Sequence, residues 1–142
     1  MYTNFLTGAF MILLTGVIHT VLTLVVVRYV RTRVKSSSND SILKSVLKID
    51  FIILAIITAT VLETSIWAAG FMYFGALSEF EESLYFSIIT YTTLGYGDII
   101  LDNQWRLLAS LEATNGVIMF GWSTSLLILV IQNTVLNKKK SS

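Results

Sequence analysis

The chain has 142 residues, 54% of them apolar and 13% charged, with ten Lys and Arg against nine Asp and Glu. Soluble domains carry about twice that share of charge, so this composition and a mean hydropathy of +0.73 point to an integral membrane protein and leave no room for a second, soluble domain. With no cysteine and no proline, disulfides, thiol chemistry and Cys-based zinc sites are excluded.

The first apolar run, Phe5 to Val27, carries no charge if His19 is neutral, and it is long enough to cross a hydrocarbon core about 30 Å thick. A signal peptide would need a basic start and a small-residue cleavage site. Met1-Tyr2-Thr3-Asn4 has no basic residue and Arg28 follows the run directly, so we read a retained transmembrane helix over residues 1–30. His19 inside it has no carboxylate or second histidine nearby in sequence. It reads as a neutral histidine bonded to a neighbouring helix rather than as a proton sensor.

Residues 31–49 form a basic linker. Arg28, Arg31, Arg33 and Lys35 lie past the apolar run and act as a positive anchor, not as a voltage sensor. Asp40 or Ser41 is the expected N-cap of the next helix. The stretch from Ser41 to Ile49 is either an interfacial helix or an extension of the following span. That span, Phe51 to Phe74, carries Glu63 near its middle, where a charge is expensive. Thr60, Thr64 and Trp67 surround Glu63 at helical spacing, and a hydrogen bond from Glu63 to a neighbouring short helix is expected.

Ser78-Glu79-Phe80-Glu81 has the form of a capping box. The helix it opens, about Glu79 to Thr92, is too short to cross a bilayer and must be re-entrant, sheltered by protein or water. Acidic Glu79, Glu81 and Glu82 suit its positive end, and its negative end points at the membrane centre. After it comes Thr92-Thr93-Leu94-Gly95-Tyr96-Gly97-Asp98. Glycines at alternate positions let a strand turn successive carbonyls the same way. Such a row of unpaired oxygens is stable only with something positive in front of it. A third span runs from Leu107 to Ile131, and residues 137–142 form a basic tail. Nine of the ten basic residues fall at 28–48 and 138–140. Both segments are therefore read as cytoplasmic, with the N-terminus outside.

This seven-residue run resembles the selectivity filter of the potassium channel family, whose mechanism is well established. Residues 50–136 resemble the two-helix bacterial pore module, with an added N-terminal span. The resemblance implies an all-α membrane protein of three transmembrane helices, a re-entrant pore helix and a filter loop, assembled as a homotetramer in the plasma (inner) membrane. It implies K+ sites at the carbonyls of Thr93, Leu94, Gly95 and Tyr96, with the Thr93 hydroxyl. Thr92, Gly97 and Asp98 support the filter, and Tyr96 braces its diameter. Relatives hold the aspartate with a pore-helix tryptophan; here the matching residue is Tyr85. Where some relatives place a glutamate behind the filter, this chain has Ile89. Gly116 matches the family's inner-helix hinge, and Gly121 a packing glycine. Glu112 and Asn115 share a face of the third span. We expect Glu112 to bond the pore helix, and Asn115 either to do so or to line the cavity.

The implied function is passive, potassium-selective conduction with no cofactor, no catalysis and no nucleic acid, in contact with membrane lipids. The alternatives are a non-conducting membrane adaptor and a weakly selective cation channel. Uptake transporters with filter-like loops carry four degenerate loops in one long chain, and this chain has one intact loop.

Overall fold

A computed structural model describes residues 2–34 and 41–136. The polar break at 36–40, Lys35 and the closing lysines 138–140 lie outside the described residues. The architecture is all-helical: α1 (Tyr2–Tyr29), α2 (Ile42–Tyr73), α3 (Phe80–Tyr91) and α4 (Arg106–Ile131). At about 1.5 Å per residue, α1, α2 and α4 are each long and apolar enough to span a membrane. Widened π-helical turns, Val30–Val34 and Gln132–Leu136, extend α1 and α4.

The second span starts nine residues before its apolar run. Ser41 caps α2, its hydroxyl accepting from the Lys44 backbone N–H at 3.4 Å, and the helix continues unbroken through the basic segment into the span. It ends in a Schellman motif. Gly75, at φ 73°, supplies the left-handed residue; its N–H bonds Met72 O at 3.0 Å, and the Ala76 N–H bonds Phe71 O at 2.8 Å. This turn delivers the chain to α3. The capping box expected at Ser78 does not form. Glu79 is the N-cap, in extended conformation and without a side-chain cap bond, so the helix begins one residue later. Two glutamates in its first turn still face the positive end of its dipole.

The short helix is buried among the long ones. Phe86 meets Phe71 edge to face at 5.2 Å. Around this pair Met11, Trp67, Tyr91, Leu101, Leu108 and Met119 form one apolar cluster drawn from all four helices. A second, smaller cluster of Val26, Val30, Ile52 and Val130 ties the three spans at the opposite end. The outward faces are apolar and exposed, as at Leu13, Val17, Leu54 and Ile118. That pattern suits lipid or protein contact rather than water.

α1 is an integral part of the bundle. Its buried positions, Gly8, Met11, Thr15, His19, Val26 and Val30, recur on one face. Its start lies beside the loop that precedes α4, where Asn4 donates to the Gln104 carbonyl. The chain's start therefore lies at the same end of the bundle as the 98–105 loop, while exposed Arg28, Arg31 and Lys44 lie towards the other end.

Candidate functional site

The segment after α3 takes its shape from the helix end. Unpaired carbonyls at a C-terminus need donors, and here the following residues turn back to supply them. The Thr92 N–H bonds Ile88 O, Thr93 N–H bonds Thr90 O, and Gly95 N–H bonds Ile89 O, each at 3.0 Å. The Thr92 hydroxyl adds a 2.6 Å bond to Ile88 O. These bonds consume the donors on the helix side of the strand.

Along the strand, handedness alternates. Thr93, Gly95 and Gly97 have φ of 61°, 52° and 78°, whereas Leu94 and Tyr96 between them are not left-handed. Left-handed backbone costs an L-residue roughly 1–2 kcal/mol; glycine escapes that cost, and Thr93 does not. A strained threonine in line with two glycines marks a conformation that the surroundings enforce. In an ordinary strand successive carbonyls point to opposite sides; alternating handedness turns them to one side. Residues 93 to 98 are exposed on the single chain. One strand cannot surround an ion, and a cage requires further copies.

Beyond the strand, Tyr85 donates to Asp98 Oδ2 at 2.7 Å. The bond to the carboxylate, then burial and the aspartate's charge, raise the Tyr85 phenol above its ordinary range, so it remains a donor. Ile89 is buried and presents only hydrocarbon. The Tyr96 side chain is 68% exposed, so any brace it gives has to meet another chain.

The polar residues of the spans converge inside the bundle. Glu63 is fully buried. One oxygen lies 2.9 Å from His19 Nδ1, and the other accepts from the Tyr91 hydroxyl at 2.5 Å. His19 Nε2 lies 3.2 Å from Ser123 Oγ on α4. The absence of a carboxylate near His19 in sequence was therefore misleading, because the fold brings one from 44 residues away. Thr60 and Thr64 do not assist Glu63: each hydroxyl bonds its own helix backbone. Trp67 Nε1 is buried without a partner.

Asn115 and Glu112 both face inward, yet they serve different helices. Asn115 Nδ2 donates to Thr15 Oγ1 on α1 at 2.9 Å, so it does not line an open cavity in this chain. Glu112 is fully buried within electrostatic reach of the Ser87 hydroxyl on α3, although neither of its oxygens has a partner in hydrogen-bond geometry. Gly116 is pressed against α3, whereas a side chain at Gly121 would enter open space within the chain.

Sequence reasoning missed Tyr91, Thr15 and Ser123 as partners. The available signal was that buried His19, Glu63 and Asn115 each needed a partner, but the spans hold many hydroxyls that could supply one, and the sequence does not choose among them. Glu79, Glu81 and Glu82 line an open recess with Tyr85. Among the described residues no group of three or more His, Cys, Asp or Glu is placed to hold a metal ion. Residues 50–133 match the family model described as ion channel. No curated protein and no solved structure matches the chain significantly.

Proposed function

The chain belongs to the ion channel family, and we propose that it is a potassium-selective channel in which four copies each contribute one Thr92–Asp98 strand. The observation that carries this reading is the left-handed backbone at Thr93, Gly95 and Gly97, directly after a short buried helix. In a fourfold assembly the carbonyls of Thr93, Leu94, Gly95 and Tyr96, with the Thr93 hydroxyl, replace the hydration shell of a dehydrated K+ ion. Conduction is passive, with no catalysis and no cofactor.

The same reading assigns the support residues. Asp98 is held by Tyr85, and Tyr96 packs on a neighbouring subunit and sets the strand spacing. Thr92 and Gly97 fix the two ends of the filter. The pore unit is residues 50–136, preceded by a membrane helix (1–30) and a basic linker (31–49), with a basic tail at 137–142. The basic residues support a cytoplasmic linker and tail in a plasma (inner) membrane protein, with the N-terminus and the filter mouth outside. Gly116 is a candidate hinge for the inner helix, although close packing already accounts for a glycine there.

The test is ion flux in liposomes containing the purified protein, with K+ and Na+ compared and Ba2+ added as blocker. Barium-sensitive K+ flux that excludes Na+ is expected. Equal flux of both ions would make this a weakly selective cation channel. No flux at any pH or voltage would leave a closed channel or a non-conducting membrane adaptor, and a Gly116 substitution that unlocks flux would separate the two.

A further inference from the structure

The polar chain that runs from α4 through α1 and α2 into α3 ends on Tyr91, two residues before Thr93. We propose that Glu63, held by His19 of the N-terminal helix, is a positioning residue for ion selectivity. In this view α1 is part of the filter's scaffold. The inference rests on the potassium-channel reading above.

Three contacts fix Tyr91. Its hydroxyl donates to Glu63 Oε2. Its backbone lies against α4 where Gly116 has no side chain. Its ring meets Phe120 at 6.1 Å. The carbonyls just before it, at Ile88, Ile89 and Thr90, accept the N–H groups of Thr92, Gly95 and Thr93 respectively. A movement of the end of α3 is therefore transmitted directly into the residues whose oxygens face the ion. The side chain immediately behind this stretch, Ile89, offers no polar restraint. Two residues further on, Tyr91 is a buried polar anchor with a partner on α2.

Glu63 can hold Tyr91 in one place only if its own carboxylate is fixed. His19 Nδ1 occupies the second oxygen at 2.9 Å, and the far side of the imidazole meets Ser123 at 3.2 Å. His19 also packs against Trp122, with ring centroids 5.3 Å apart. One turn along α1, Thr15 takes the bond from Asn115. Two polar contacts four residues apart thus set both the depth and the rotation of α1 against α4. Every group in the chain from Ser123 to Tyr91 is at least nine-tenths buried. Breaking one link leaves a desolvated partner unmatched, which costs more than the lost bond. A purely apolar contact would tolerate sliding; a directed chain of this kind does not.

The experiment compares wild type, Tyr91→Phe, His19→Gln and His19→Leu as full chains in liposomes. The readouts are the K+ to Na+ flux ratio and the amount and thermal midpoint of the assembled oligomer. Tyr91→Phe keeps the ring and loses only the hydroxyl, so assembly is expected to persist while the flux ratio falls by up to about tenfold, the ceiling set by the whole of one lost buried hydrogen bond. His19→Leu is expected to do the same, whereas His19→Gln, whose amide can still meet Glu63, stays within about twofold of wild type. A selective wild type whose Tyr91→Phe and His19→Leu variants keep its ratio would overturn the inference and leave the channel reading intact. Variants that lose total flux or assembly with the ratio unchanged would also overturn it, because that is the mark of a merely structural role. A wild type that does not distinguish the two ions would overturn the potassium-selective reading, and this inference with it. Should His19→Leu fail to assemble, Tyr91→Phe decides alone.

Discussion

Gly116 lies so close to Tyr91 that a Cβ built on it would fall 1.9 Å from the Tyr91 carbonyl oxygen and 2.8 Å from its carbonyl carbon. The obstruction is backbone, not the end of a flexible side chain, so α4 or α3 must move to admit even one methyl group. Gly116→Ala is expected to destabilise the fold by about 1–3 kcal/mol, the usual cost of overpacking. Gly121→Ala, whose Cβ meets nothing within 4 Å in the chain, is the control. Thermal unfolding in mild detergent reads both. An unchanged midpoint for Gly116→Ala would mean that the two helices are not in contact as described.

The bond from Tyr85 to Asp98 predicts a pH dependence at the alkaline end. Because the folded phenol holds its proton above the ordinary tyrosine range, near pH 10, the folded state retains a proton that the unfolded state gives up. Its contribution is complete below that range and is lost as pH rises through the raised value. A phenolate difference spectrum between wild type and Tyr85→Phe should show this residue titrating late. Asp98→Asn should bring the titration back towards the ordinary value, since the aspartate is the first cause of the shift. A Tyr85 signal indifferent to Asp98→Asn would refute the contact.

Thr15 and Asn115 form one buried hydrogen bond between α1 and α4. Each single variant, Thr15→Val or Asn115→Ala, should weaken the fold, and the double variant should cost less than the sum. For a bond between membrane helices the coupling is about 0.6 kcal/mol on average and rarely above about 1.7 kcal/mol. A double-mutant cycle on unfolding free energy measures it. Strict additivity would show that the N-terminal helix is not held there.

What the sequence made legible and what it hid divide along a physical line. Apolar runs announce spans, and the alternation of Gly95 and Gly97 announces an unusual strand, because both are local properties of the chain. The polar interior is not local. His19 and Glu63 each declared a need for a partner, but the partner of each lay on another helix, and only the packing angle of α1 decides which residues meet. Tyr91 was hidden because a tyrosine in a short apolar helix reads as core. Its hydroxyl becomes informative only when Glu63 faces it. Glu112 and Asn115 illustrate the same limit. Their shared face followed from i, i+3 spacing, but that face meets α3 at one residue and α1 at the other. At Ser78 the local signal was present and lost, because the chain leaving Gly75 reaches helical geometry one residue later than the capping pattern requires.

The sharpest separation of fold from function lies at Gly95. Its φ is 52°, and a Cβ there would meet nothing within 4 Å. Alanine is therefore opposed by backbone conformation and not by packing. The cost is about 1–2 kcal/mol in each chain, enough to flip one peptide in a strand whose neighbour Thr93 is already held left-handed. The helix packing is not disturbed by the added methyl group, and the one bond from Gly95 to α3, its N–H to Ile89 O, needs no side chain. Gly95→Ala is expected to keep the helical content and the oligomer of wild type, read by circular dichroism and by sizing in mild detergent, while barium-sensitive K+ flux is lost. Loss of the helical fold instead would show that the strand supports the bundle rather than the ion path. Wild-type flux in a folded Gly95→Ala oligomer would show that the left-handed backbone at this residue is not what the permeating ion requires.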